Sequence, residues 1–178
     1  NEWSSASKDK GGANPLDIID NVRQIKTAKA KHNKVICIIH GGHEHYNLPS
    51  LRMQKQYRFY AENGADLIVG HHTHCIGGYE VYKGVPIYYS LGNFLFTLNA
   101  VTPDWYIGLI LEIEWEKGEL KTNLHPVCQE KGTFKLYLPK GQEKEEILNR
   151  VHSYAEIIKN ESLLEQSWEQ YISQKSKE

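Results

Sequence analysis

The chain has 178 residues, 40% of them hydrophobic, with 21 Lys and Arg set against 22 Asp and Glu. A chain of that size buries one respectable core, and near-zero charge without a basic, aromatic-laced stripe leaves nucleic acid no electrostatic footprint. No apolar run approaches the ~20 residues of a membrane span, and three widely spaced cysteines, Cys37, Cys75 and Cys128, read as small buried side chains rather than a disulfide framework.

Nothing at the start resembles a signal peptide, yet the first residue is Asn1 rather than Met. A preceding segment is therefore expected, which leaves localisation open between the cell envelope and the cytoplasm. Residues 1–13, rich in Ser, Lys and Gly without apolar period, predict a loose leading arm. Asn14 followed by Pro15 predicts a helix from 15 to about 31, with Ile18, Ile19, Val22, Ile25 and Ala28 on one face.

The run Val35 to Ile39 is apolar and β-branched, which predicts a strand covered on both faces, as in a parallel sheet. It ends at His40. Ser50 can cap a second helix running to about Asn63, with Gly64 ending it, and Asp66 to Gly70 predicts a second buried strand that ends at His71. Strand, helix, strand is a βαβ unit. Ligands of such sheets bind beyond the carboxyl ends of the strands, where His40 and the 71–74 cluster both lie.

From Gly77 the pattern changes. Tyr79 to Tyr82, a Lys83-Gly84 turn and Val85 to Tyr89 predict a hairpin, followed by SLGNFLF at 90–96. Leu109, Leu111, Ile113 and Trp115 alternate with wetter residues, and Lys117-Gly118 turns that strand back into a partner around Leu120 to Val127. A short strand is expected at Thr133 to Leu138. Two amphipathic helices complete the chain, one through Ile147, Val151, Tyr154, Ala155 and Ile158, the other, after Asn160, through Leu164, Trp168, Tyr171 and Ile172.

Six of the nine histidines fall in HGGHEHY, residues 40–46, and GHHTHC, residues 70–75. Imidazole suits zinc, iron or manganese, and a catalytic site needs about three protein ligands and an open position. His72 and His74, one residue apart, can aim two rings into one volume. Glu44 can bind a metal or orient a ligating histidine. His43 and His45 flank Glu44 and are read as loop residues or substrate contacts. Cys75 reads as a packed thiol, with thiolate ligation the weaker alternative, and Asn93 either satisfies a turn or hydrogen-bonds back to the histidine loops.

HGGHE, ENGADLIVGHHTH and YYSLGNFLF, in this order and spacing, resemble the bacterial CapA family of poly-gamma-glutamate capsule biosynthesis proteins, over roughly residues 1–130. That family is similar to the calcineurin-like metallophosphoesterases. The resemblance implies an α/β fold, part of a four-layer αββα sandwich with mixed sheets plus C-terminal helices. Residues 1–138 would form the C-terminal part of that domain, and 139–178 a helical extension packed on it.

By position, His40 matches the isolated histidine ligand of the phosphoesterases, His72 and His74 their Gly-His-x-His pair, and Glu44 the acid of a His-x-Gly-x-Glu stretch. His71 is the alternative ligand, since an extra histidine follows Gly70. The resemblance thus implies His40, Glu44 and His72 as catalytic candidates, His40, His72 and His74 as metal ligands, and divalent Mn, Zn or Fe, two ions in a complete domain. His43, His45 and Asn93 are the candidate substrate contacts.

The superfamily's Asp-x-His, Gly-Asp and Asn-His motifs have no counterpart here. They are expected in a missing N-terminal segment of the same domain, so this chain should hold part of a two-metal centre, with weak occupancy and little activity. Completed, the centre would polarise a phosphoester for attack by a bridging hydroxide. The alternative is a non-catalytic component that assembles or binds an anionic polymer, with Arg52, Lys55 and Arg58 as candidate contacts.

Overall fold

The computed structural model describes residues 5–97 and 102–176. Residues 1–4 of the expected leading arm lie outside that range. From Ser5 onward the arm forms a turn in which the Ala6 amide donates to the Ala13 carbonyl and Ser7 exchanges hydrogen bonds with Lys10.

The first helix, α1 (Ile18–Lys31), begins three residues later than its sequence suggests, because Asp17 rather than Asn14 caps it. The Asp17 carboxylate accepts from the Ile19 and Asp20 amides, while the Asn14 side chain is bonded to those of Asn21 and Gln24. After β1 (Ile36–His40), the Ser50 hydroxyl accepts from Met53 to cap α2 (Leu51–Glu62), as the sequence predicts. Then come β2 (Leu67–His71) and the hairpin β3 (Tyr79–Tyr82) and β4 (Val85–Tyr88).

Pro103–Tyr106 form a 3-10 turn that leads into the long hairpin β5 (Ile107–Glu116) and β6 (Glu119–Gln129), and β7 (Leu136–Tyr137) adds a short third strand. Both hairpins turn on Lys-Gly, and all four residues of the two pairs have positive φ, as a type I′ turn requires. The tail is α3 (Gly141–Lys159) and α4 (Glu161–Lys175), the latter capped by Asn160.

Two sheets result. The first has the order β1-β2-β4-β3, with β1, β2 and β4 parallel and β3 antiparallel at the edge. The second, β5-β6-β7, is antiparallel throughout, so the expectation of mixed sheets holds for the first sheet only. On one face of the first sheet Ile39, Ile68 and Ile87 pack with Met53, Tyr57 and Tyr60 of α2 and Ile25 of α1. On the other face Leu67, Val69 and Tyr88 meet Leu111, Ile113, Leu120 and Leu124 of the second sheet. Each such side chain stabilises the fold by about 1.5–3 kcal/mol when fully buried.

One expectation is corrected. β1 is not covered on both faces: Ile36 and Ile38 are 41% and 74% exposed, because the second sheet reaches across β2 and β4 but stops short of this edge strand. The tail helices pack on the same body. Ile147 and Val151 of α3 join Ile76, Leu109 and Cys128, so α3 bridges the two sheets, while Leu164 of α4 enters the core beside α2. None of these helices is long and apolar enough to cross a membrane, among the described residues.

Candidate functional site

Parallel pairing of β1 with β2 puts His40 directly across from His71, so both histidine loops leave the sheet at the same end. The backbone then ties them together. Gly41 donates to the His71 carbonyl and His45 to the Thr73 carbonyl, at 3.1 and 2.8 Å. Within these loops His45, His72 and His74 all have positive φ, a conformation that costs a residue with a side chain on the order of 1–3 kcal/mol and concentrates at functional sites.

The strained turn at His72 delivers its ring to His40. His72 Nδ1 lies 3.2 Å from His40 Nε2, and the ring centroids are 4.9 Å apart. Two lone pairs at that distance repel, so a proton or a cation must lie between them. Two nitrogens held at about 2.0–2.1 Å from one ion stand about 2.9–3.4 Å apart at octahedral to tetrahedral angles, so the pair has the bite of two ligands on one ion. The other nitrogen of His72, Nε2, faces the Glu44 carboxylate at 3.9 Å. At that distance the two groups are neighbours and not hydrogen-bonded, so the geometry does not choose between the two roles open to Glu44.

Burial and then the neighbouring His40 push His72 below the usual imidazole range, against a smaller pull from Glu44. His71, across the register from His40, is lowered for the same two reasons, so both rings favour the neutral form a metal ligand needs. The ring atom that meets His40 belongs to His72.

His74 is held apart from the pair, 6.1 Å from His72 between ring centroids. Its ring stacks on Trp105 at 4.6 Å, meets the edge of Phe96 at 5.0 Å, and its Nδ1 lies 2.9 Å from Asn93 Oδ1. Gly92, not Asn93, carries the positive φ of the turn, so of the two readings of Asn93 the hydrogen bond to the loops is the one observed. His45 lies near Trp105, and His43 packs on Trp168 of α4. Cys75 is buried and its thiol is pushed up to about 11, chiefly by burial.

Among the described residues no group of three His, Cys, Asp or Glu side chains is arranged to hold an ion. His40 and His72 have the separation of two ligands on one ion, and among the described residues no third such side chain joins them. Arg58, one of the three basic residues weighed for polymer binding, is already committed: its guanidinium donates twice to Glu80, at 2.7 and 3.0 Å.

Sequence reasoning missed the residues behind the site. Asp104 accepts from Arg150 of α3 at 2.6 Å and from Asn47 at 3.1 Å, and thereby fixes the turn that carries Trp105. Thr102-Pro103-Asp104 reads locally as a helix start, but no local pattern says where Trp105 will lie.

Residues 1–98 match the family model described as bacterial capsule synthesis protein PGA_cap. The chain is 40% identical over 92 residues to the PGA biosynthesis protein CapA of Bacillus subtilis (strain 168), covering 52% of this chain and 24% of that protein. It is 36% identical over 95 residues to the capsule biosynthesis protein CapA of Bacillus anthracis, covering 51% and 23%. The chain thus spans about a quarter of the length of these curated relatives. Both histidine loops and Asn93 lie inside the family match, whereas Trp105, Arg150 and Trp168 lie beyond it.

Proposed function

The chain belongs to the bacterial capsule synthesis protein PGA_cap family, and from that premise we propose that it serves the biosynthesis of a capsule polymer of the poly-gamma-glutamate type, contributing His40 and His72 to a divalent metal centre. The observation that carries the metal reading is the 3.2 Å approach of His40 Nε2 to His72 Nδ1 at the carboxyl ends of adjacent parallel strands. Glu44 stands on the far side of the His72 ring, 3.9 Å from Nε2, and His74 is the further candidate ligand. The packing of α3 and α4 against the sheets and α2 supports reading residues 139–178 as a helical extension of the same domain.

The finer reading is phosphoester hydrolysis. A bound divalent ion would polarise a phosphoryl oxygen and lower the pKa of a bound water. The protein's part is to present neutral imidazoles at a fixed separation, in loops tied by the His45 to Thr73 and Gly41 to His71 hydrogen bonds.

Calorimetric titration of the full chain with Zn²⁺ and with Mn²⁺ tests the metal reading. Binding that weakens at least tenfold in both His40→Ala and His72→Ala supports it, and binding equal in all three proteins overturns it. Turnover of an aryl phosphodiester with the same ions tests the finer reading. Metal-independent binding of poly-gamma-glutamate, unchanged in both variants, would favour a polymer-binding component instead.

A further inference from the structure

We infer that Asn93 sets the tautomer of His74, holding the neutral ring with its proton on Nδ1 and leaving Nε2 as the nitrogen with a free lone pair. Asn93 Nδ2 donates to the Trp105 carbonyl at 3.0 Å, and a carbonyl oxygen can only accept. The opposite assignment of the amide would set two acceptors against each other at that distance in a part-buried position. The end that faces His74 Nδ1, at 2.9 Å, is therefore Oδ1, which also only accepts. The hydrogen in that bond comes from the ring. Neutral imidazole carries one N–H, so Nε2 has none.

Asn93 is rigidly placed for this. Gly92 and Gly108 form a bridge between the SLGN segment and β5, and a Cβ at Gly108 would run into the Asn93 carbonyl. The Ser90 hydroxyl accepts from the Gly92 amide at 3.2 Å and from Thr73 at 2.8 Å, which links the segment to the histidine loop itself. The Trp105 carbonyl is fixed in turn through Asp104, which Arg150 and Asn47 hold from two sides. Asn93 is thus a positioning residue acting through His74, a role distinct from substrate contact.

The tautomer follows from the hydrogen bonds alone. Its use rests on the proposed metal centre: His72 offers Nδ1 toward His40, and His74 offers Nε2. In water histidine favours the proton on Nε2, so without Asn93 the ring would relax to the form in which that nitrogen is blocked.

Two-bond ¹H–¹⁵N correlation spectra of the full chain, labelled at histidine and recorded at neutral pH, read the tautomer of each ring directly. His74→Gln identifies the His74 signal by its loss. The expected result is an Nδ1–H pattern for His74 in the wild type and a shift to the Nε2–H pattern in Asn93→Leu. Unchanged His125 and His152 signals certify that each variant is folded. An Nε2–H pattern in the wild type, or no change in Asn93→Leu with those controls intact, overturns the inference. Zn²⁺ titration of the same samples is a separate readout: a tautomer that switches as expected without any metal binding upholds the role of Asn93 and sinks the metal reading.

Discussion

Trp168, in the last helix, packs its indole on the ring of His43 at 4.6 Å between centroids, so the far end of the chain closes over the first histidine loop. Tyr171 extends the contact by stacking on Tyr46 at 4.4 Å and donating to the Glu44 carbonyl at 3.3 Å. Trp168→Ala is expected to cost about 2–3 kcal/mol of unfolding free energy, less than the ~3–5 kcal/mol of a full core truncation because the indole is only partly buried. Urea unfolding measures this. Hydrogen exchange should show the His45 and Tyr46 amides losing protection in the same variant, and unchanged protection would mean that the tail does not brace the loop.

Glu80 is buried on β3 and binds the Arg58 guanidinium through both oxygens while accepting from Tyr89 at 2.6 Å. Removing one partner of a buried pair leaves the other charge uncompensated, at about 3–5 kcal/mol. Glu80→Ala should fall toward the lower end of that range, since Arg58 retains some solvent, and Glu80→Gln should cost about half as much. Chemical denaturation of the two variants checks the order.

Gly108→Ala should destabilise the protein by about 1–3 kcal/mol, the usual cost of overpacking, because the new methyl meets the Asn93 backbone rather than a side chain that can rotate away. Thermal unfolding gives the cost. The side-chain amide resonance of Asn93 should shift as well, and a variant as stable as the wild type with that resonance unmoved would show the approach of the two segments to be looser than described.

Burial, and then the nearby Asp66 carboxylate, pushes the Cys37 thiol up from 9.0 to about 11. The folded state holds this proton more tightly than the unfolded chain does. The resulting stability is therefore fully present below pH 9 and is lost as pH rises through about 11. Alkylation by iodoacetamide at pH 8, followed at Cys37 by peptide mass spectrometry, should be slow in the native protein and fast in urea. Equal rates in the two conditions would contradict the assignment.

Much of this was legible along the chain because it depends on neighbours in sequence. The alternation from Leu109 to Trp115 is the inward face of β5, Ser50 caps α2, and both Lys-Gly pairs turn hairpins. Local signals compete where two residues could serve equally. Asn14 and Asp17 are both good caps, and the side chains of Asn21 and Gln24, which draw Asn14 away, decided for Asp17. The apolar run of β1 resembles that of β2, yet only β2 lies under the second sheet, and how far one sheet overlaps another is not written into either strand.

The sequence by itself carried the resemblance to the family, in three motifs, and determined the order of strands and helices and the position of two histidine segments at strand ends, which depend on spacing and side-chain type over a few residues. Tertiary structure alone decided that His72 Nδ1 is the atom that meets His40, that Asn93 faces His74, and that Trp105, Arg150 and Trp168 stand behind the loops. The reason is geometric. Each of those contacts joins segments far apart in the chain, and its direction depends on a twist, a register and a strained φ that only the packed whole imposes.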